Sequence, residues 1–355
     1  MEGYAVTDSR DSETEPKILC VAGASGLVGS QITKAALEKG YRVHGTMRDA
    51  EDPSKRPHLM DLPGAEERLT LFSADASDGA SFDAPLEGAD AVFIACFPPL
   101  YQGRDGTPAR ELDRERGWEE VVRPVRDGCL NVLQAANRQG VGNVLLCSST
   151  SSTNPPEPVA VKTEGNAISD PEKQMDEGKF TAAEKIVMER AAQEFCDAHG
   201  MRLAIMLPTM MLGPVVLPQH LEGDSMEMPA RLHRGGNASH ERVPAGSVSV
   251  SHVEDVARLF LAAYEKPDAQ GRYFAVYDSV PWRDLYAEIS RHIPDSQLPA
   301  PLEGEPEEPT RFDFTRRDSL GATMRDIPTT IHETFDWLES EPDPLRLSDL
   351  DQGQQ

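Results

Sequence analysis

Three glycines in the run Gly23-Ala-Ser25-Gly26-Leu27-Val28-Gly29 are spaced for phosphate chemistry. The first admits a tight turn, the second lets backbone N–H groups approach a pyrophosphate, and the third lets a helix pack closely on the preceding strand. The run follows the apolar segment KILCVA and opens a helical segment, so a helix N-terminus adds partial positive charge at the same place. Glycine-rich turns also serve packing alone. Here strand, glycines and helix coincide near the start of an alternating chain, and Gly23, Ser25, Gly26, Leu27, Val28 and Gly29 are expected to form the cofactor turn.

Two further positions bear on which dinucleotide is held. An acidic residue at the end of the second strand would accept from the ribose 2′-hydroxyl of NAD, but the sequence there is Gly45-Thr-Met-Arg48-Asp49. A guanidinium suits a 2′-phosphate, so NADP(H) is expected, with Asp49 beside Arg48 as the conflicting signal and a solvated strand-end charge as the plain alternative. Downstream, Asp75 and Ala76 end the third strand; Asp75 would accept from the adenine amino group or merely cap a turn.

The elements that must position these residues are short apolar runs alternating with helical patterns. Strands are expected at about 17–22, 41–47, 68–74, 91–96 and 142–148, each too uniformly apolar for a half-exposed antiparallel sheet. The rhythm predicts an α/β fold, a Rossmann-type doubly wound parallel sheet. A polar, turn-rich loop covers 150–178, then a helix from Phe180 to His199 closed by Gly200, then the strand MRLAIMLP. From about 215 the pattern turns irregular, which suggests a smaller C-terminal substrate lobe. The expected organisation is an acidic tail over 1–15, a nucleotide-binding domain over 16–214, a lobe over 215–340 with some segments returning to the sheet, and a second tail over 341–355.

Together GASGLVG, GTMRD, ADAVFIAC and GCLNVLQAA resemble the extended short-chain dehydrogenases/reductases, in the group of dihydroflavonol reductases, cinnamoyl-coenzyme A reductases and 3β-hydroxysteroid dehydrogenases. The likeness runs from about 17 to 339. It implies a substrate held between the nucleotide domain and the C-terminal lobe, with Ala95 and Cys96 after the fourth strand and Pro208, Met210 and Met211 after the sixth beside the cofactor. It implies a catalytic serine after the fifth strand, best matched by Ser149, with Ser148 as the one-residue alternative. It also implies a Tyr-x-x-x-Lys motif on the next helix. Counting back from Gly200 and Pro208 places the lysine at Lys185, but Thr181 stands where the tyrosine should be, and no tyrosine occurs between Tyr101 and Tyr264. A threonine hydroxyl cannot be tuned as a phenol can. Lys185 would contact the nicotinamide ribose or, on the plainer reading, face solvent between Glu184 and Glu189.

Three functions fit these residues: an NADPH-dependent carbonyl reductase whose proton comes from water, Ser149 or a side chain such as Tyr101; a reductase of an imine, iminium or conjugated alkene, which needs a weaker acid; or a non-catalytic NADP(H)-binding sensor or scaffold. Composition narrows the partners. The 35 Lys and Arg stand against 60 Asp and Glu, a formal charge of −25, which disfavours nucleic acid and anionic membrane surfaces. The five cysteines are widely spaced in apolar runs and read as reduced core residues. No cysteine or histidine cluster has metal-ligand spacing, so no metal is expected. The polar start of the chain and the lack of a long apolar run point to a cytoplasmic protein, monomer or homodimer, acting on a small molecule.

Overall fold

The computed structural model describes residues 16–223 and 225–340; both expected tails lie outside these. Along β1 (Ile18–Ala22) successive side chains enter two different cores. Leu19 and Val21 join the first helix, Leu27–Glu38, and the helix Val253–Glu265 on one face; Cys20 and Ala22 join the helices Arg123–Arg138 and Phe180–His199 on the other. All four are fully buried. A strand covered on both faces explains why the sequence runs are apolar throughout rather than alternating.

β1 pairs in parallel with β2 (Arg42–Met47) on one side and β4 (Ala91–Ile94) on the other. With β3 (Leu69–Ser73), β5 (Asn143–Cys147), β6 (Arg202–Pro208) and β9 (Gly271–Ala275) the order is β3-β2-β1-β4-β5-β6-β9, parallel throughout. Chain direction across the sheet therefore reverses between β1 and β4, which opens a crevice at the carboxyl ends of those strands. This is the doubly wound Rossmann arrangement. The long helix runs from Phe180 to His199 and ends at Gly200 in the left-handed conformation, φ 65°.

The stretch read as irregular contains more regular structure than its Pro- and Gly-rich sequence suggests. β7 (Met210–Leu212), β8 (Ser247–His252) and β10 (Asp278–Pro281) form a three-stranded sheet, parallel between β7 and β8 and antiparallel between β8 and β10. It has its own core, including Leu212, Met226, Leu285, Ile331 and Phe335. β9 (Gly271–Ala275) returns to the main sheet beside β6.

Candidate active site

The crevice at the strand reversal opens into a cleft of about 1800 Å³. Every residue singled out above as a site candidate lines it except Gly29 and Thr181.

At one end the cleft wall is backbone. Gly23 has φ +91°, and a Cβ there would stand 2.7 Å from Cys96 Cα. Gly29 lies behind the turn: a Cβ would meet the Gly23 carbonyl oxygen at 2.0 Å, so the glycine lets the first helix sit directly on the loop. That helix begins after Gly26 with no side-chain cap and no acidic residue in its first turn. Its leading N–H groups are thus left for an external acceptor.

Two side chains from the short helix Pro218–Leu221 hold the turn from outside. Gln219 Nε2 donates to the Ser25 carbonyl at 3.0 Å, and His220 Nε2 lies 3.1 Å from the same oxygen. Burial lowers the imidazole to about 4, so it stays neutral at ordinary pH.

Beyond the turn, Arg48 is exposed and faces the cleft together with Lys55. Asp49, the conflicting signal, accepts from the Glu51 N–H at 3.0 Å. Asp75 caps a turn, accepting from the Ser77 N–H at 2.8 Å and the Ser77 hydroxyl at 2.7 Å, contacts that hold its carboxyl below the usual range. Cys96 remains a neutral thiol, pushed up to about 12 by burial.

The other end is built from side chains. Ser148 is nearly buried and donates to Glu189, which Arg272 Nε meets at 2.9 Å. Its neighbour Ser149 accepts from the Ser151 N–H at 3.1 Å, which leaves its own proton for an acceptor in the cleft. Thr181 donates to the Leu100 carbonyl at 2.5 Å, pinning the loop after β4. Lys185 does not face solvent between two surface carboxylates: Glu184, Lys185 and Glu189 are 0%, 2% and 3% exposed. Lys185 Nζ donates to the Phe97 carbonyl at 2.7 Å and stands 3.1 Å from Glu184 Oε1. Burial pushes the Glu184 carboxyl up to about 7 against the opposing pull of the ammonium. Tyr101 lies in the cleft's mouth, 67% exposed.

The sequence reading missed Lys55, Lys162 and Gln219, whose loops carry no local signal, and, beyond the plainer reading of Lys185 as solvent-facing, it gave no role to Glu184. The small apolar residues around the latter, in Ala182-Ala-Glu-Lys-Ile-Val-Met188, were the available sign of burial.

Fold and cleft together define a nucleotide-binding protein of the doubly wound class. Residues 19–276 match the NAD dependent epimerase/dehydratase family, and the chain belongs to it, within the extended short-chain dehydrogenases/reductases. It is 30% identical to tetraketide alpha-pyrone reductase 1 of Arabidopsis thaliana, covering 90% of this chain and 93% of that one. Cinnamoyl-CoA reductase 1 of Oryza sativa subsp. japonica is also 30% identical, over 92% and 91%. Among solved structures, vestitone reductase from alfalfa superposes with a TM-score of 0.70 at 23% identity, covering 91% and 98%. Yeast methylglyoxal/isovaleraldehyde reductase Gre2, complexed with NADPH, superposes at 0.73 and 19%, covering 90% and 98%. No helix among the described residues is long and apolar enough to cross a membrane.

Proposed function

We propose that the chain is an NADPH-dependent reductase of a small organic carbonyl compound, working without a tyrosine on the helix that carries Lys185. The observation that carries this reading is one continuous cleft joining the uncapped helix start and Arg48 at one end to Ser149 and Lys185 at the other. The residues fit the dinucleotide: open N–H groups suit the pyrophosphate, and Arg48 with Lys55 suits a 2′-phosphate, while the Asp49 carboxylate is engaged by its own loop. The reductase names of the relatives support the same reading.

When bound, the nicotinamide would supply a hydride to the carbonyl carbon. Ser149 would donate to the carbonyl oxygen and hold it. Lys185 would protonate that oxygen, an N–H bond breaking as the O–H bond forms. In the same step Glu184, protonated below about pH 7, would pass its proton to the Lys185 nitrogen, an O–H bond breaking as the new N–H bond forms, and it would regain a proton from solvent after the product leaves. Glu184 does not line the cleft and acts through Lys185. Thr181 has no part in this route, its hydroxyl being held by Leu100.

Following NADPH absorbance over a panel of aldehydes and ketones, with identification of the product, tests the proposal. Steady consumption that yields the alcohol supports it. Tight NADPH binding with no consumption across the panel, or turnover confined to C=N or C=C bonds, contradicts it.

A further inference from the structure

We propose that the substrate is an apolar carbonyl compound bearing an anionic group, a carboxylate or phosphate, received by the Lys162 ammonium on the Ser149 side of the cleft; the proposal rests on the reductase reading above. Lys162 is half-buried and lines the cleft. Its Nζ donates to Asn154 Oδ1 at 3.0 Å and lies 5.9 Å from the centre of the Phe312 ring. Asn154 Nδ2 in turn donates to the Ser151 carbonyl at 3.4 Å, and the Ser151 N–H donates to Ser149 Oγ at 3.1 Å. The ammonium is thereby tied to the turn that presents Ser149. Its backbone is pinned as well, donating to the Arg311 carbonyl and accepting from the Asp313 N–H, both at 2.8 Å.

Among the described residues Lys17, Lys162, Lys173 and Lys266 lack a carboxylate partner, and of these unpaired lysines only Lys162 lines the cleft. Lys34, Lys39, Lys55, Lys179 and Lys185 each meet a carboxylate within 3.1 Å. Among the described residues no carboxylate pairs with Lys162, and burial lowers its pKa with no acidic group opposing the shift. An ammonium taken partly out of water without a counter-charge costs free energy that an anion bound beside it would offset. The chain holds 60 acidic residues, so a counter-charge from within was available. Phe97, Pro98, Leu100 and Phe312 supply apolar wall nearby for the body of such a ligand.

The test measures, by calorimetry in the presence of NADP+, the binding of aryl ketones whose carboxylate stands one, two or three carbons from the carbonyl, each against its methyl ester. A second arm compares 4-acetylphenyl phosphate with 4-acetylphenol. At least one anion should bind about tenfold or more tightly than its neutral partner, and the arm with the larger ratio identifies the source of the charge. Lys162→Met should bring the ratio to near one with the neutral affinity unchanged, and Lys162→Arg should keep most of it. Equal affinities in the parent protein, a ratio that survives Lys162→Met, or no binding by any member overturns the proposal. Turnover separates it from the reading beneath: neutral ketones reduced and bound as well as anions leave the reductase standing without this specificity, whereas anions bound selectively but never reduced retain the anion site and sink the reductase.

Discussion

At the nucleotide end of the cleft the chain offers backbone, an uncapped helix start packed on a glycine turn, with the exposed Arg48 beyond it. At the reaction end it offers side chains, and two of them, the Glu184 carboxyl and the Lys185 ammonium, are buried against each other. The difference follows from what each end must do. A pyrophosphate is recognised by charge and close approach, which main-chain N–H groups supply without being buried. A proton must be held at an energy near that of the solvent at working pH, and burial moves the Glu184 carboxyl that way. The first end should therefore be sensitive to added volume, the second to removed charge.

The largest effect is expected where added volume meets backbone. In Gly29→Val the new Cβ would fall 2.0 Å from the Gly23 carbonyl oxygen, so the turn must move, NADPH binding should vanish in a fluorescence titration, and stability should fall by about 3 kcal/mol in denaturant unfolding. Unchanged affinity in a variant with native circular dichroism would break the comparison at that end. Next, Lys185→Met should lower kcat by roughly a hundredfold, the size expected for losing a general acid, while leaving the fold intact, because Glu184 can stay protonated. A variant at parental kcat would remove Lys185 from the proton route. Arg48→Ala should weaken NADPH by about tenfold or more and leave NADH nearly unchanged; equal losses for both cofactors would place Arg48 away from the 2′-phosphate. Smallest is Thr181→Val, which deletes the hydrogen bond to Leu100. It should cost about 1 kcal/mol of stability, with turnover within a factor of about three of the parent. A hundredfold loss of turnover would restore the threonine to the chemistry.

How legible each end was in the sequence follows from the same contrast. The glycine turn occupies seven consecutive residues between a strand and a helix, and local spacing is what sequence displays best. β1, β4 and β5 were likewise readable because burial on both faces leaves apolar runs, β2 and β3 from the alternating rhythm around them, and the long helix from its length and closing glycine. The reaction end draws on Phe97, Ser149 and Lys185, which only the sheet order brings together. Their positions were inferred from resemblance rather than pattern, and the apolar neighbours of Glu184 were a weak sign of its burial beside a Glu-Lys pair, which on a helix ordinarily marks a solvated face. The second sheet escaped notice because β7 and β10 have three and four residues, too short for alternation to show. Histidines that look scattered can also converge: His292 and His332, forty positions apart, lie with Asp336 so that their ligand atoms fall within 4.8 Å of one another.

The central claim is that the buried Glu184–Lys185 pair supplies the proton a tyrosine would otherwise give, and the pH dependence of single-turnover carbonyl reduction tests it most directly. With the Glu184 carboxyl raised to about 7, the proton-bearing form is populated below that pH and lost above it, so the rate in the parent protein should be level on the acidic side and fall as pH rises through about 7. Glu184→Gln, isosteric and non-titrating, should be slower on the acidic side and should lose that fall, with NADPH affinity unchanged. A Gln variant that matches the parent in rate and in pH profile would contradict the account.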